Sequence, residues 1–261
     1  MSTLVSFHAH PDDECLTTGG TIAKVVAQGH RVVLVVATGG EEGEYPEGFI
    51  SSQEELGPIR REELRRSTEI LGVERLYFLG YRDSGMAGSP ANSNPDCFAN
   101  ADVADAAGQL AGIIVAEGAD ALTIYDENGG YGHPDHVMVN RVGLVAAKLA
   151  QLDDVLAATM NRDFIAELMR TALAENPESI PEEMRANFDT SSFGTPASVI
   201  NTEIDVSDYV RRKYDALAAH QSQVQSTGFA FSLSDDAFAA AFSTEWFISL
   251  KSGVETRRSI F

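Results

Sequence analysis

Cysteine is scarce in this chain, and long apolar runs are absent. Only two cysteines occur in 261 residues, so we expect no disulfide framework and predict a protein of the reducing cytoplasm. No basic segment followed by an apolar run stands at the N-terminus, and no apolar run is long enough to cross a bilayer. A membrane protein or a secreted, disulfide-rich domain is therefore not expected.

Basic residues are also few. The chain has 19 lysines and arginines against 39 aspartates and glutamates, which gives a formal net charge of -20. A surface this acidic repels phosphate backbones and anionic lipids, which excludes nucleic acid and membranes as expected partners. The expected partner is a small molecule, and nothing in the sequence indicates an oligomer.

The first 160 residues alternate between strand-like and helix-like patterns. Strands are predicted from apolar, β-prone runs at 3–7, 31–37, 75–79 and 119–125. Helices are predicted after them at 18–28, 58–71, 101–117 and 134–149. Four β-α repeats predict an α/β, Rossmann-like parallel sheet with helices on both faces, where ligands bind at the C-terminal ends of the strands.

The second half of the chain is less regular. Its weaker patterns predict strands at 155–160, 197–204 and 245–250, helices at 162–175, 206–221 and 235–242, and a polar loop at 176–195. The length suits one large domain better than two, so we expect a single domain over 1–261 with a core at 1–160 and a remainder at 161–261.

A dense group of ionisable residues follows the first predicted strand. The sequence HAHPDDE at 8–14 places His10 beside Asp12, Asp13 and Glu14, and Pro11 forces the chain to leave the sheet there. Neighbouring carboxylates raise each other's pKa, and a bound cation would relieve their repulsion. The stretch is therefore a candidate metal and general-base site.

A second cluster, HPDH at 133–136, follows the fourth predicted strand. His10, one acid of the first cluster and His136 would supply three metal ligands and leave one position open, as in catalytic zinc sites. A remaining aspartate could then take a proton from metal-bound water. His133, beside Asp135, could stay protonated and stabilise an oxyanion or donate a proton to a leaving amine.

These strings resemble a known family. AHPDDE at 9–14 together with YGHPDH at 131–136 is similar to the LmbE-like (PIG-L) superfamily of zinc-dependent N-acetylglucosaminyl deacetylases. YDENGG at 125–130 and YRDSGM at 81–86 resemble its mycothiol branch, which contains the glucosaminyl-inositol deacetylase and the mycothiol conjugate amidase. HQSQ at 220–223 resembles a tail motif of the family.

The resemblance implies roles for individual residues. It implies one Zn²⁺ per chain, or Fe²⁺ in the cell, bound by His10, Asp13 and His136. It further implies Asp12 as the general base on the metal-bound water. The residues implied to stabilise the tetrahedral oxyanion are Tyr131 and His133, the latter oriented by Asp135.

Substrate contacts follow from the same resemblance. Arg60 matches the arginine that contacts the sugar, with Arg61 as the adjacent alternative, and Asp83 matches the acid that binds sugar hydroxyls. The portion at 161–261 would complete the substrate pocket. The expected enzyme is a metal-dependent amidohydrolase that removes the acetyl group from a GlcNAc-type sugar or glycoconjugate.

Three alternatives remain open at this stage. The chain could be a mycothiol-conjugate-type amidase, or a metal-dependent hydrolase of another bond such as a phosphoester. The acidic loop after the second strand and the single expected metal count against phosphoester chemistry, which often uses two metals. A sugar-binding module without catalysis is the third alternative, and the full set of ligand, base and oxyanion residues counts against it.

Overall fold

One seven-stranded sheet organises the chain in this computed structural model, which describes residues 1–175, 193–224, 228–251, 253 and 256–261. Numbered along the chain, the strands are β1 (Thr3–His8), β2 (Arg31–Thr38), β3 (Arg75–Tyr81), β4 (Ala121–Tyr125), β5 (Val155–Thr159), β6 (Thr202–Asp205) and β7 (Thr244–Ser249). Their order across the sheet is β3-β2-β1-β4-β5-β7-β6. Strands from both the predicted core and the remainder of the chain therefore share one sheet.

The central strands are buried on both faces, which explains their continuous apolar sequences. Every residue of β1 is buried, and so is every residue of β2 except Arg31. The five neighbouring strands β3-β2-β1-β4-β5 pair in parallel. Leu4 of β1 lies opposite Val32 of β2 and Ala121 of β4. The prediction of a Rossmann-like α/β sheet is confirmed.

Helices cover the sheet on both sides. They are α1 (Asp13–Thr17), α2 (Gly19–Ala27), α3 (Leu56–Leu71), α4 (Val103–Ala116), α5 (Pro134–Leu149), α6 (Arg162–Glu175), α7 (Val210–Ala218), α8 (Gly228–Phe231) and α9 (Asp235–Phe242). Right-handed crossovers place α2 and α3 on one face and α4 and α5 on the other. In agreement, α4 packs on α5 whereas α7 packs on α2 and α3. Within the described ranges, no helix has the length and hydropathy needed to cross a bilayer.

The order of the parallel strands reverses between β1 and β4. From β1 the chain first proceeds outward to β2 and β3, then returns to place β4 on the other side of β1. Loops that leave the carboxyl ends of two such strands diverge and open a crevice, the usual ligand site of open α/β sheets. The motif at 9–14 follows β1 and the loop at 126–133 follows β4, as the sequence predicted.

The outer half of the sheet differs from a simple parallel continuation. The strand β7 runs antiparallel to both β5 and β6, so the sheet is mixed. The predicted strand at 197–204 begins only at Thr202, and the predicted helix at 206–221 is the shorter α7, flanked by 3-10 turns. The predicted loop at 176–195 falls almost wholly outside the described residues.

The helix predicted at 18–28 is confirmed as α2, and a short helix that the sequence did not predict, α1, precedes it. The two helices are separate and meet at Thr18, whose φ is -137°. The Thr18 hydroxyl donates a hydrogen bond to the Glu14 carbonyl oxygen at 2.9 Å. Such side-chain contacts compete with the helical backbone, and here they mark the change of direction.

Two helical glycines test how tightly the sheet and its helices pack. A Cβ added at Gly143 in α5 would lie 2.3 Å from Cγ2 of Ile124, whereas one added at Gly112 in α4 would meet no atom within 4 Å. Overpacking of a core typically costs about 1–3 kcal/mol. Alanine gains roughly 1 kcal/mol over glycine in an open helix position.

We therefore expect Gly143→Ala to lower the free energy of unfolding and Gly112→Ala to raise it by up to about 1 kcal/mol. Urea unfolding followed by circular dichroism measures both. Equal stabilisation by the two changes would show that Ile124 yields without cost.

Candidate metal centre and active site

The motif after β1 is held at the C-terminal ends of the parallel strands by backbone and side-chain contacts. The Ala9 carbonyl oxygen accepts hydrogen bonds from the Thr38 amide and hydroxyl of β2, at 3.0 and 3.1 Å. Pro11 then turns the chain, and Asp13 begins α1. His10 is consequently buried while its ring reaches the crevice between β1 and β4.

Two ring nitrogens and one carboxylate converge in this crevice. His10 Nδ1 and His136 Nε2 lie 3.3 Å apart, and they lie 3.3 Å from Oδ2 and from Oδ1 of Asp13, respectively. Four ligands placed about 2.0–2.1 Å from a zinc ion at tetrahedral angles are themselves about 3.3 Å apart. The three residues, called the metal cluster below, thus fit a metal ion of zinc size with one position open.

The other ring nitrogens of the two histidines are oriented by acceptors. His10 Nε2 lies 3.1 Å from Oδ2 of Asp135, and His136 Nδ1 lies 3.1 Å from the Gly129 carbonyl oxygen. These acceptors assign the proton to the outer nitrogen and leave the inner one free for a metal, the arrangement usual for ligating histidines. Gly129 has φ +62°, and a Cβ there would lie 2.4 Å from Cβ of His136.

His133 also brings a ring nitrogen within 4.8 Å of those of His10 and His136, but its hydrogen bonds differ from theirs. It caps the N-terminus of α5, where its Nδ1 accepts the Asp135 backbone N–H at 3.1 Å. The remaining nitrogen, Nε2, therefore carries the proton of the neutral ring and is a donor. Burial, and then the neighbouring His10, lower the pKa of His133 to about 4. The structure thus supports a neutral N–H donor rather than the protonated imidazolium considered from the sequence.

The carboxylate of Asp135 also has a different partner from the one expected. The sequence predicts that it orients His133, but the carboxylate faces His10 and accepts hydrogen bonds from the Ser84 amide (2.9 Å) and hydroxyl. The hydrogen bond from Asp135 to the ring of His133 comes from the Asp135 backbone N–H. Asp135 is fully buried, so its contact with His10 is shielded from water.

Asp12 lies beside the metal cluster in an uncommon backbone conformation. Its φ is +109°, a region that residues other than glycine seldom adopt. Its amide donates a hydrogen bond to Oε2 of Glu14 at 2.9 Å, and its carboxylate lies 3.2 Å from Nη2 of Arg60. Burial raises the pKa of Asp12 to about 6, although the Arg60 charge opposes this rise.

The structure distinguishes Arg60 from Arg61. Arg60 is 3% exposed, and its guanidinium donates hydrogen bonds to the carbonyl oxygens of Gly40 (2.8 Å) and Pro11 (2.5 Å) in addition to its contact with Asp12. Arg61 points away, toward Glu41 at 3.2 Å. Of the two arginines, Arg60 is the one that reaches the site.

Asp83 and Tyr131 lie at the edge of the crevice. The Asp83 carboxylate is 3.4 Å from His10 Nε2 and accepts the amides of Gly85 and Glu42, at 2.8 and 3.2 Å. The Tyr131 ring is 48% exposed, with its centroid 4.9 Å from that of His136. All nine predicted site residues thus lie in or beside one crevice.

Three residues of the centre have no predicted role in the sequence. Ser84 holds Asp135, Glu14 holds the Asp12 amide, and His220 donates to Glu14 at 2.8 Å between Nε2 and Oε1. Glu14 and His220 stand in strings that resemble the family, which is a signal that could have found them. Ser84 likewise stands in the string YRDSGM at 81–86, which resembles the mycothiol branch.

Comparisons with known proteins agree with this geometry. The sequence profile of the family described as PIG-L, GlcNAc-PI de-N-acetylase, matches residues 5–147. The 1D-myo-inositol 2-acetamido-2-deoxy-alpha-D-glucopyranoside deacetylase of Thermobifida fusca is 40% identical over 275 residues, which cover 98% of this chain and 94% of that protein. The protein of the same name from Acidothermus cellulolyticus is 40% identical over 271 residues, with coverage of 96% and 89%.

A solved structure shares the fold at lower identity. N,N'-diacetylchitobiose deacetylase from Pyrococcus horikoshii, complexed with its inhibitor MPG, superposes with a TM-score of 0.58 and 23% identity. The match covers 95% of this chain and 84% of the other. The fold similarity therefore extends beyond the segment that the family profile matches.

The ligand assignment predicts how metal content responds to substitution. We expect His136→Gln to weaken zinc binding by more than the roughly 10–100-fold that changes outside the ligand set cost, because it removes a ligand. His133→Gln is the matched control and should retain about one zinc ion per chain. Elemental analysis and competition with a chromophoric chelator measure both. Equal zinc loss from the two variants would instead indicate a site of three histidines.

Proposed function

Because the chain belongs to the PIG-L family, we propose that it hydrolyses the acetamide of an N-acetylglucosaminyl inositol, releasing acetate and the free amine. The two relatives that bear the name of this deacetylase align with the chain over 94% and 89% of their own length. The observation that carries the proposal is the convergence of His10, Asp13 and His136 at 3.3 Å beside the buried carboxylate of Asp12.

The proposed metal is zinc, held by the metal cluster. Two neutral imidazoles and one carboxylate are ligands that zinc accepts, and three protein ligands leave room for water or substrate. When bound, zinc acts as a Lewis acid that polarises a carbonyl and lowers the pKa of water to about 7. Asp135 and the Gly129 carbonyl hold the two rings in the required orientation.

Asp12 is the proposed general base. Its buried carboxylate adjoins the metal cluster without belonging to it, and its pKa of about 6 suits proton abstraction near neutral pH. Arg60 binds the same carboxylate and keeps it ionised at that pH. Asp12 would take a proton from the attacking water and then deliver it to the departing amine nitrogen.

His133 and Tyr131 are the proposed donors to the oxyanion of the tetrahedral intermediate. The Nδ1 of His133 is occupied by the Asp135 amide, which leaves Nε2–H as a fixed donor on the side of the crevice that faces His10. Tyr131 supplies a hydroxyl from the exposed rim. Preorganised donors of this kind stabilise developing charge without reorganisation during the reaction.

Sugar binding is proposed at Asp83, with Arg60 acting from beneath Asp12. Asp83 lies at the crevice edge next to His10, where a carboxylate oxygen can accept from a sugar hydroxyl. Arg60 is engaged by two carbonyl oxygens and by Asp12, so its main effect on the substrate would pass through Asp12. In this proposal both residues keep the substrate-binding role that the family resemblance implied, Asp83 directly and Arg60 through Asp12.

A polar cavity beside Asp83 is the proposed site of the inositol group. It has a volume of about 670 Å³ and is lined by Glu41, Glu54, Pro58, Arg61, Arg82 and Asn94. Glu41 connects it to the centre, because its Oε2 accepts the Asp83 amide at 3.0 Å. Two guanidinium groups, two carboxylates and an amide provide paired donors and acceptors that suit vicinal hydroxyls.

The names of the relatives favour the deacetylase over the conjugate amidase. Both relatives are named for an acetamido sugar linked to inositol. The acidic loop at 41–44 would repel a phosphoester approaching the same rim, which counts against that alternative. The proposed partner of the chain is accordingly a neutral, small glycoside.

Replacing the proposed base should separate catalysis from metal binding. Asp12→Asn is expected to lower kcat by about 10²–10⁴-fold, the usual contribution of general base catalysis, while zinc content stays at the wild-type level. Asp13→Asn is the comparison and should lose both zinc and activity. Amine release with the inositol glycoside and elemental analysis give the two readouts. Equal zinc loss from the two variants would remove this division of roles.

The cavity assignment predicts a change that depends on the substrate. Arg82→Met should raise KM for the inositol glycoside by about tenfold, the loss of roughly one hydrogen bond to a charged group. Hydrolysis of N-acetylglucosamine, which lacks the inositol, should be unaffected. Arg75→Met, at the opposite end of β3, is the matched control. An equal effect of Arg82→Met on both substrates would place the inositol elsewhere.

A further inference from the structure

A buried acid and a buried histidine lie behind Asp12, and the proposed chemistry does not use them directly. Glu14 and His220 are both 0% exposed, and His220 Nε2 lies 2.8 Å from Oε1 of Glu14. They are 206 positions apart in the sequence. Burying an ionisable pair costs free energy unless its members are well partnered. The contacts of this pair therefore need an explanation.

The two oxygens of Glu14 have separate tasks. Oε1 is held by three side chains, at 2.6 Å from Ser67 Oγ, 2.8 Å from His220 Nε2 and 3.1 Å from Cys15 Sγ. Oε2 accepts the Asp12 amide at 2.9 Å. The carboxylate is thus fixed on one side by α3 and the C-terminal portion, and it presents its other side to the backbone of Asp12.

The Asp12 backbone needs such a contact. Its φ of +109° is unfavourable for an aspartate, and strained conformations of this kind persist only where the surroundings hold them. If Oε2 of Glu14 moved, the Asp12 peptide would relax and carry its carboxylate away from Arg60 and the crevice.

His220 makes a single hydrogen bond with its ring. Its Nδ1 is buried and has no hydrogen-bond partner among the described residues, so the ring's one polar contact is with Glu14. A buried polar atom without a partner is itself unfavourable. The histidine therefore leaves one buried ring nitrogen unsatisfied while its other nitrogen donates to Glu14.

We propose that Glu14 and His220 are positioning residues, which lock the Asp12 backbone in the left-handed conformation that aims its carboxylate at the crevice. This inference rests on the proposed function for the role of Asp12, although the locked backbone itself does not. The C-terminal portion would thereby act on the base of the reaction through two side chains.

A second buried pair in the same protein supplies a control. Lys213 Nζ lies 2.7 Å from Oε1 of Glu245, and both residues are about as buried as the first pair. The Glu245 carboxylate also accepts backbone amides, those of Gly20 and Thr21 in α2, at 2.9 and 2.7 Å. This pair is likewise a buried acid and base, but it holds the backbone at the start of α2 and not the Asp12 amide.

The experiment compares His220→Leu, His220→Gln and Lys213→Met in the full-length zinc-loaded protein. His220→Leu removes the donor to Glu14, and we expect a 10–100-fold lower kcat with KM for the inositol glycoside nearly unchanged and zinc retained. His220→Gln restores an N–H near Nε2 and should recover most of this loss. Lys213→Met should lower Tm as much as His220→Leu does, yet leave kcat per folded molecule unchanged.

Hydrogen exchange of the Asp12 amide, followed by NMR, tests the lock without relying on catalysis. Exchange should accelerate at least tenfold in His220→Leu and remain slow in Lys213→Met. If the wild type hydrolyses neither substrate, the proposed function fails, while this exchange result still decides whether the lock exists.

Several results would overturn the inference. These are unchanged kcat in His220→Leu, an equal kcat loss in Lys213→Met, loss of zinc from His220→Leu, or unaltered exchange at Asp12. If His220→Leu does not fold, Ser67→Ala replaces it, because it removes one hydrogen bond to Glu14 with little change in volume. Ser67→Ala should lower kcat several-fold, and an unchanged kcat and exchange rate there would be equally contradictory.

Discussion

The centre of this protein depends on balancing the negative charge that the turn after β1 carries inward. Asp12, Asp13 and Glu14 are consecutive, and Asp83 from the loop after β3 and Asp135 from the first turn of α5 reach the same volume. A buried carboxylate without a partner costs several kcal/mol, so each of the five needs a cation or several donors. The fold is arranged so that distant segments deliver these groups to one place.

The partners come from every part of the described chain. Arg60 of α3 faces Asp12, His220 of the C-terminal portion faces Glu14, and His136 of α5 faces Asp13. A divalent cation would supply the largest single compensating charge, at the point where His10 Nδ1 and His136 Nε2 face each other at 3.3 Å. Metal binding and helix packing therefore depend on the same set of charges, because α3 and α5 carry groups that face these carboxylates.

The sequence was sufficient for the parts of this arrangement that local patterns control. Continuous apolar runs identified β1 and β2, and Pro134 correctly opens α5. The antiparallel direction of β7 could not be foreseen, because it depends on which strands it pairs with, here β5 and β6. The partner of Asp135 could not be foreseen either. Adjacency in sequence suggested His133, whereas the start of α5 turns the carboxylate toward His10, 125 positions away.

Two buried acid–base pairs connect the C-terminal portion to the backbone of the N-terminal core. Lys213 and His220, from α7 and the turn after it, each fix a glutamate whose free acceptor capacity holds backbone amides of the N-terminal core. Glu245 holds the start of α2, where it accepts the amides of Gly20 and Thr21. Glu14 holds the amide of Asp12, so in our proposal the same kind of contact also positions the carboxylate of the general base. The two pairs therefore differ in the backbone group that each one holds. Burial and charge alone do not reveal this difference.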